Sequence, residues 1–141
     1  MTLSQYLQED KPFYHITKTS NLQSIFETGL QPRNPLGICV VRSKDPLIVK
    51  FIVEMMLFVD EEVNFSILEI KPSQFGLQPH EIRDDQVVEE TNCLHNYIRR
   101  KKLSITEANV VDSYVANKQG IPDKSKLVAE LVSKNLLWGF Q

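Results

Sequence analysis

The stretch from Phe13 to Pro32, FYHITKTSNLQSIFETGLQP, decides how the rest of the chain is read. Residues 13–17 are aromatic and β-branched, the composition of a short strand. Ser20 and Gln23 stand at capping-box spacing, and Leu22, Ile25, Phe26 and Leu30 then follow a helical stripe. Gly29 is placed to end that helix, because glycine alone enters a left-handed turn without steric cost. His15 therefore falls near the end of a strand, just before a polar turn. It is either a satisfied strand histidine or a ligand at the mouth of a cleft.

Working outward, QPRNP (31–35) is a turn-rich loop and GICVV (37–41) a buried strand. Asp45 followed by Pro46 predicts a helix start, cap then proline at the first position. The helix would run through PLIVKFIVEMMLFV, from Pro46 to Val59. That run is too short for a membrane span, which needs roughly twenty apolar residues, and it carries Lys50 and Glu54. It reads as a buried helix. The acidic DEEVN (60–64) separates it from a strand, FSILEIK (65–71), bounded by Pro72. PSQFGLQPHEIRDD (72–85) is loop-like, while QVVEE (86–90) and NYIRRKKLSI (96–105) suit strands. Thr106 to Val115 fits either helix or strand. Leu127, Val128, Leu131 and Val132 describe an amphipathic helix that closes the chain near Trp138. Strands and helices mix without βαβ alternation, the pattern of an α+β protein.

The 141 residues read as one domain (1–141), with no repeat, low-complexity run or linker to mark a boundary. Hydrophobic residues make up 42% and charged ones 24%, a globular balance that can bury a core without disulfides or metal. A formal charge of −2 supplies no global field for polyanions, so any phosphate binding needs a local patch. Cys39 and Cys93 stand alone, without CxxC or paired-histidine spacing, and His80 and His95 have no ligand partners at helical spacing. No metal site is expected. The N-terminus has no basic region followed by an apolar run, so a cytoplasmic site of action without membrane attachment is expected.

YHIT…NLQSIFETGLQP…GICVVRS resembles the first half of the ADP-ribosyltransferase fold. It is most similar to the group whose first strand carries His, which includes poly-ADP-ribose polymerases, DarT-type toxins and RNA 2′-phosphotransferases. The resemblance covers roughly residues 13–59. It implies a split antiparallel β-sandwich with flanking helices, two small sheets holding NAD bent between them. NAD is then the substrate, and ADP-ribose passes to a macromolecular acceptor, protein or nucleic acid, in a toxin-like transferase. His15 would hydrogen-bond the adenine-side ribose with Thr17 at the same edge, and Ser43 or Arg42 would lie beside the dinucleotide. A carboxylate would stabilise the oxocarbenium-like ribose as the nicotinamide bond loosens.

The resemblance offers two placements for that carboxylate. VVEETN supplies Glu89 and Glu90, with Glu90 preferred as catalytic alongside His15 and Ser43. HNYIRR instead resembles the closing-strand pattern of the polymerases and puts Asn96 where their Glu stands. An asparagine carries no charge, so the second placement implies a degenerate module that binds a nucleotide or ADP-ribosyl group without turnover. An RNA 2′-phosphotransferase would need several arginines at one phosphate, and the chain has only Arg33, Arg42, Arg83, Arg99 and Arg100. Without the resemblance, Glu89 and Glu90 are solvated carboxylates, Ser43 is a loop or cap residue, and RRKK (99–102) is a solvated face or a phosphate-facing patch.

Overall fold

A computed structural model of the chain describes residues 2–33, 35–42, 62–88 and 93–117. The expected helices over 46–59 and around 127–138 lie outside the described residues. So do Ser43, Glu89 and Glu90.

The chain opens with a short helix, α1 (Leu3–Gln8), that the sequence reading did not anticipate. Its start is a capping box: the Thr2 hydroxyl accepts from the Gln5 amide at 3.2 Å, and Gln5 Oε1 accepts from the Thr2 amide at 2.9 Å. Asp10 leaves the helix in a left-handed conformation, and its carboxylate accepts two hydrogen bonds from Ser73, at 2.8 and 2.6 Å. β1 (Phe13–Lys18) follows, then a 3-10 turn (Thr19–Asn21) and α2 (Leu22–Thr28). The Ser20–Gln23 box does not form. The 3-10 turn consumes Ser20, α2 begins after Asn21 without a side-chain cap, and Gln23 donates to Glu27 instead. Gly29 ends α2 as expected, at φ +89°, with its N–H bonded to the Ile25 carbonyl at 2.8 Å.

β2 (Ile38–Val41) and β3 (Glu62–Ile70) are the next described strands. β3 takes in Glu62 to Asn64, part of the acidic stretch that the sequence places between helix and strand. The 72–85 stretch also carries more structure than its prolines suggest. Pro72 opens a one-turn helix, α3 (Pro72–Phe75), Gly76 closes it in the left-handed region, and a 3-10 turn (Pro79–Glu81) leads directly into β4 (Ile82–Val88). β5 (Cys93–Ile98) stops before the arginine pair, and β6 (Val110–Asn117) resolves the ambiguous 106–115 segment as a 3-10 turn and then a strand.

The six strands of the described residues form one antiparallel sheet in the order β4-β5-β2-β1-β3-β6. Alternation sends Phe13, Ile38, Val40, Leu68, Ile70, Ile82 and Ile98 to one face. There they bury against Tyr6 of α1, Ile25 of α2 and the segment carrying Leu103 and Ile105. The opposite face buries Ile16, Val41, Phe65, Ile67, Tyr114 and Ala116. No helix among the described residues is long and apolar enough to cross a membrane.

The middle of this sheet is thin. Among the described residues, β1 pairs with β3 along all six of its residues, but with β2 only at Tyr14↔Val41. The sheet is therefore two three-stranded halves, β4-β5-β2 and β1-β3-β6, joined at a seam. Leu30 and Leu103 exchange backbone hydrogen bonds of 2.8 and 2.9 Å, which holds the exit of α2 against the chain leaving β5. This clamp fixes where the loop after Leu30 crosses the seam.

Candidate functional site

His15 stands on β1 where β1 and β2 part. Its Nδ1 lies 2.6 Å from the carbonyl oxygen of Cys39, so the imidazole bridges the seam beyond the last strand pair. A carbonyl only accepts, so Nδ1 carries the proton and donates. In the neutral ring Nε2 is then an acceptor. Burial pushes the imidazole below its ordinary pKa, because a desolvated ring disfavours charge. The bond to Cys39 opposes that shift and the nearby positive charge of Arg33 adds to it. At neutral pH the ring is uncharged.

A recess of about 120 Å³ opens beside this histidine, between β1, α2 and the loop after Gly29. Its walls are mostly polar: His15, Thr17, Asn21, Ser24, Thr28 and Arg33 contribute. Thr17 is buried and accepts from the Asn21 amide at 3.2 Å, which fixes the wall next to the imidazole. Below it, Thr19, Ser66 and Ser113 form a chain of hydroxyls with links of 2.8 Å. His15 and Thr17 thus line the same recess. Asn21, Ser24 and Arg33 were not singled out from sequence, although a turn-rich loop holding an arginine is an ordinary place for function.

Arg42 and Asn96 make a separate arrangement. The Arg42 guanidinium sits 4.9 Å from the Tyr6 ring centre, and its Nε donates to Asn96 Oδ1 at 2.8 Å. Tyr6 donates to the carbonyls of Pro12 and of Arg42. Arg42 therefore faces α1 and does not line the recess. Asn96 is fully buried and also donates from Nδ2 to the Arg83 carbonyl at 3.3 Å.

The register nevertheless links Asn96 to His15. One residue on from Tyr14↔Val41 brings His15 level with Val40, and Val40 pairs with Asn96. All three share a sheet face, so His15 and Asn96 lie two strand spacings apart, about 10 Å. On the far side of Asn96 the partner is Asp84 of β4. Among the described residues, no cluster of three His, Cys, Asp or Glu is arranged to hold a metal ion. His80 is exposed.

The chain has no match among known family models, curated proteins or solved structures.

Proposed function

We propose that the protein is an ADP-ribosyltransferase-like domain that binds NAD at the seam and passes ADP-ribose to a macromolecular acceptor. The observation that carries this reading is His15: a neutral histidine, anchored through Nδ1 across the parting of two half-sheets and lining a polar recess. The residues suit a nucleotide. Nε2 of His15 can accept from a ribose hydroxyl, Thr17 and Asn21 offer further polar atoms, and the Arg33 cation suits a pyrophosphate. A volume of about 120 Å³ holds a ribose-sized group and not a whole dinucleotide, so the remainder would extend along the seam.

A second reading, nucleotide binding without turnover, is favoured by the placement of Asn96. It occupies the β5 position level with His15, and both ends of its amide are committed to protein partners. A neutral amide supplies no charge to a developing cation. If Glu90 provides that charge, the transferase reading holds.

Two measurements test these readings. Calorimetric titration with NAD should show binding that His15→Ala weakens at least tenfold while the melting temperature moves by only a few degrees. Unaltered NAD affinity in His15→Ala overturns the placement of the site. Nicotinamide release by wild type and Glu90→Gln then separates transferase from binder. A drop of orders of magnitude with affinity retained assigns the carboxylate, since its charge acts in the transition state. NAD binding without release in wild type supports the degenerate reading.

A further inference from the structure

A second cavity lies on the β4-β5-β2 half of the sheet and shares no lining residue with the His15 recess. At about 460 Å³ it falls in the size range of small-ligand sites. Pro32, Pro35, Leu36 and Gly37 make one wall, and Arg83, Arg99, Arg100 and Lys101 make the other. Among the described residues that line it, none is acidic. In a chain of net charge −2, Arg99 and Lys101 bring positive charge to this wall beside Arg83 and the Glu81-paired Arg100.

The cationic wall is held in place before any ligand arrives. Arg100 donates from Nε and Nη2 to the two carboxylate oxygens of Glu81, at 2.6 and 2.9 Å, and from Nη2 to the Gly76 carbonyl at 3.2 Å. The Arg99 amide donates to the Glu81 carbonyl at 2.7 Å, which pins the backbone just beyond β5. Glu81 is thereby spent on Arg100. Arg99 and Lys101 are exposed and make no ion pair among the described residues. Gly37 lies flush on the Ile98 carbonyl, so the apolar wall is seated directly against the same strand end.

We infer that this cavity binds a nucleoside phosphate, with the phosphate among Arg99, Lys101 and Arg83 and the base against Pro32, Pro35 and Leu36. The chemistry is that of a flat apolar ring next to a dianionic or diester phosphate. Guanidinium groups meet phosphate oxygens through a donor fork and also stack on base planes. A carboxylate-rich peptide would use the cations but leave the proline and leucine wall without a partner. The source is either a free mononucleotide or one nucleotide of a single strand. The inference is independent of how His15 is read.

The test is fluorescence anisotropy of the full chain with two probes, a labelled twelve-residue oligothymidylate and a fluorescent adenosine monophosphate. At least one probe should bind below millimolar concentration. Tighter binding of the oligomer identifies a strand, and equal or better binding of the monophosphate identifies a free nucleotide. For the oligomer, neutralising about three phosphates gives a slope near −2 in log affinity against log salt, at roughly 0.7 per contact on a single strand. Arg99→Glu with Lys101→Glu should weaken binding at least tenfold, while thermal melts of this exposed pair match wild type. The inference is overturned if neither probe binds below millimolar, or if the charge reversal leaves affinity unchanged. It also fails if polyglutamate displaces the probe as well as an unlabelled oligonucleotide of equal charge.

Discussion

Asn96→Leu tests whether the middle of the β2–β5 half is organised by the amide seen there. Leucine matches asparagine in heavy-atom count and branching, so no cavity forms and the loss is chiefly one of hydrogen bonding. Two bonds go. The one from Arg42 Nε at 2.8 Å has a charged donor, and such bonds contribute about 1.5–3 kcal/mol. The bond to the Arg83 carbonyl at 3.3 Å is long and adds about 0.5 kcal/mol. Arg42 is only half-buried and can turn toward water, which holds the sum near the lower end. The expected loss is about 2–3 kcal/mol, or roughly 5–10 °C in Tm for a chain of this length. Urea unfolding of Asn96→Leu, Arg42→Met and the double variant closes the cycle, with a coupling of about 1–2 kcal/mol expected. A single-variant loss under about 0.5 kcal/mol, or zero coupling, refutes the reasoning. Asn96 would then not be the buried tie between β5 and Arg42.

Gly37→Ala should destabilise by about 2–4 kcal/mol in denaturant titration, combining backbone strain with forced separation of strands. Its φ is +127°, and an added Cβ would sit 2.5 Å from the Ile98 carbonyl oxygen, a backbone atom that cannot swing aside. Gly76→Ala is the control: φ is +59° with open space around it, so only about 1 kcal/mol should be lost. The third prediction concerns pH. The His15 pKa is lower folded than unfolded, so below about pH 6.5 the unfolded chain binds a proton that the native ring refuses. The stabilisation is complete above the unfolded value and is lost progressively as pH falls from there toward the lower folded value. Wild type should therefore lose more stability than His15→Gln between pH 7.5 and 5, followed by chemical denaturation at each pH. Parallel curves would place the imidazole in solvent.

Short-range chemistry was legible in the sequence wherever one residue type had a single physical reason to be where it is. Gly29 ends α2 because the turn needs a positive φ, and the aromatic and β-branched runs at 13–17, 38–41 and 65–70 are strands because pleated, buried surfaces favour them. Composition failed where polar residues do structural work. The acidic Glu62 extends β3 by ladder pairing, and in the proline-rich 72–85 stretch the 79–81 turn is capped by Glu81, whose carboxylate accepts from the Gln78 backbone amide. The Ser20–Gln23 spacing matched a cap that a preceding 3-10 turn displaced.

For the site, the sequence marked His15 and Thr17 but had no means of locating Asn21, Ser24 and Arg33 beside them, because the recess is closed by a loop that a distant bridge, Leu30 to Leu103, holds over β1. Likewise RRKK was visible as a charge run, but its meeting with Pro32 to Gly37 depends on the β2–β5 pairing, some sixty residues apart in the chain. Local rules act through bonds and spacings within a few residues. Strand order, the single-pair seam and the neighbours of each cation are fixed by long-range pairing, which only the folded chain brings about.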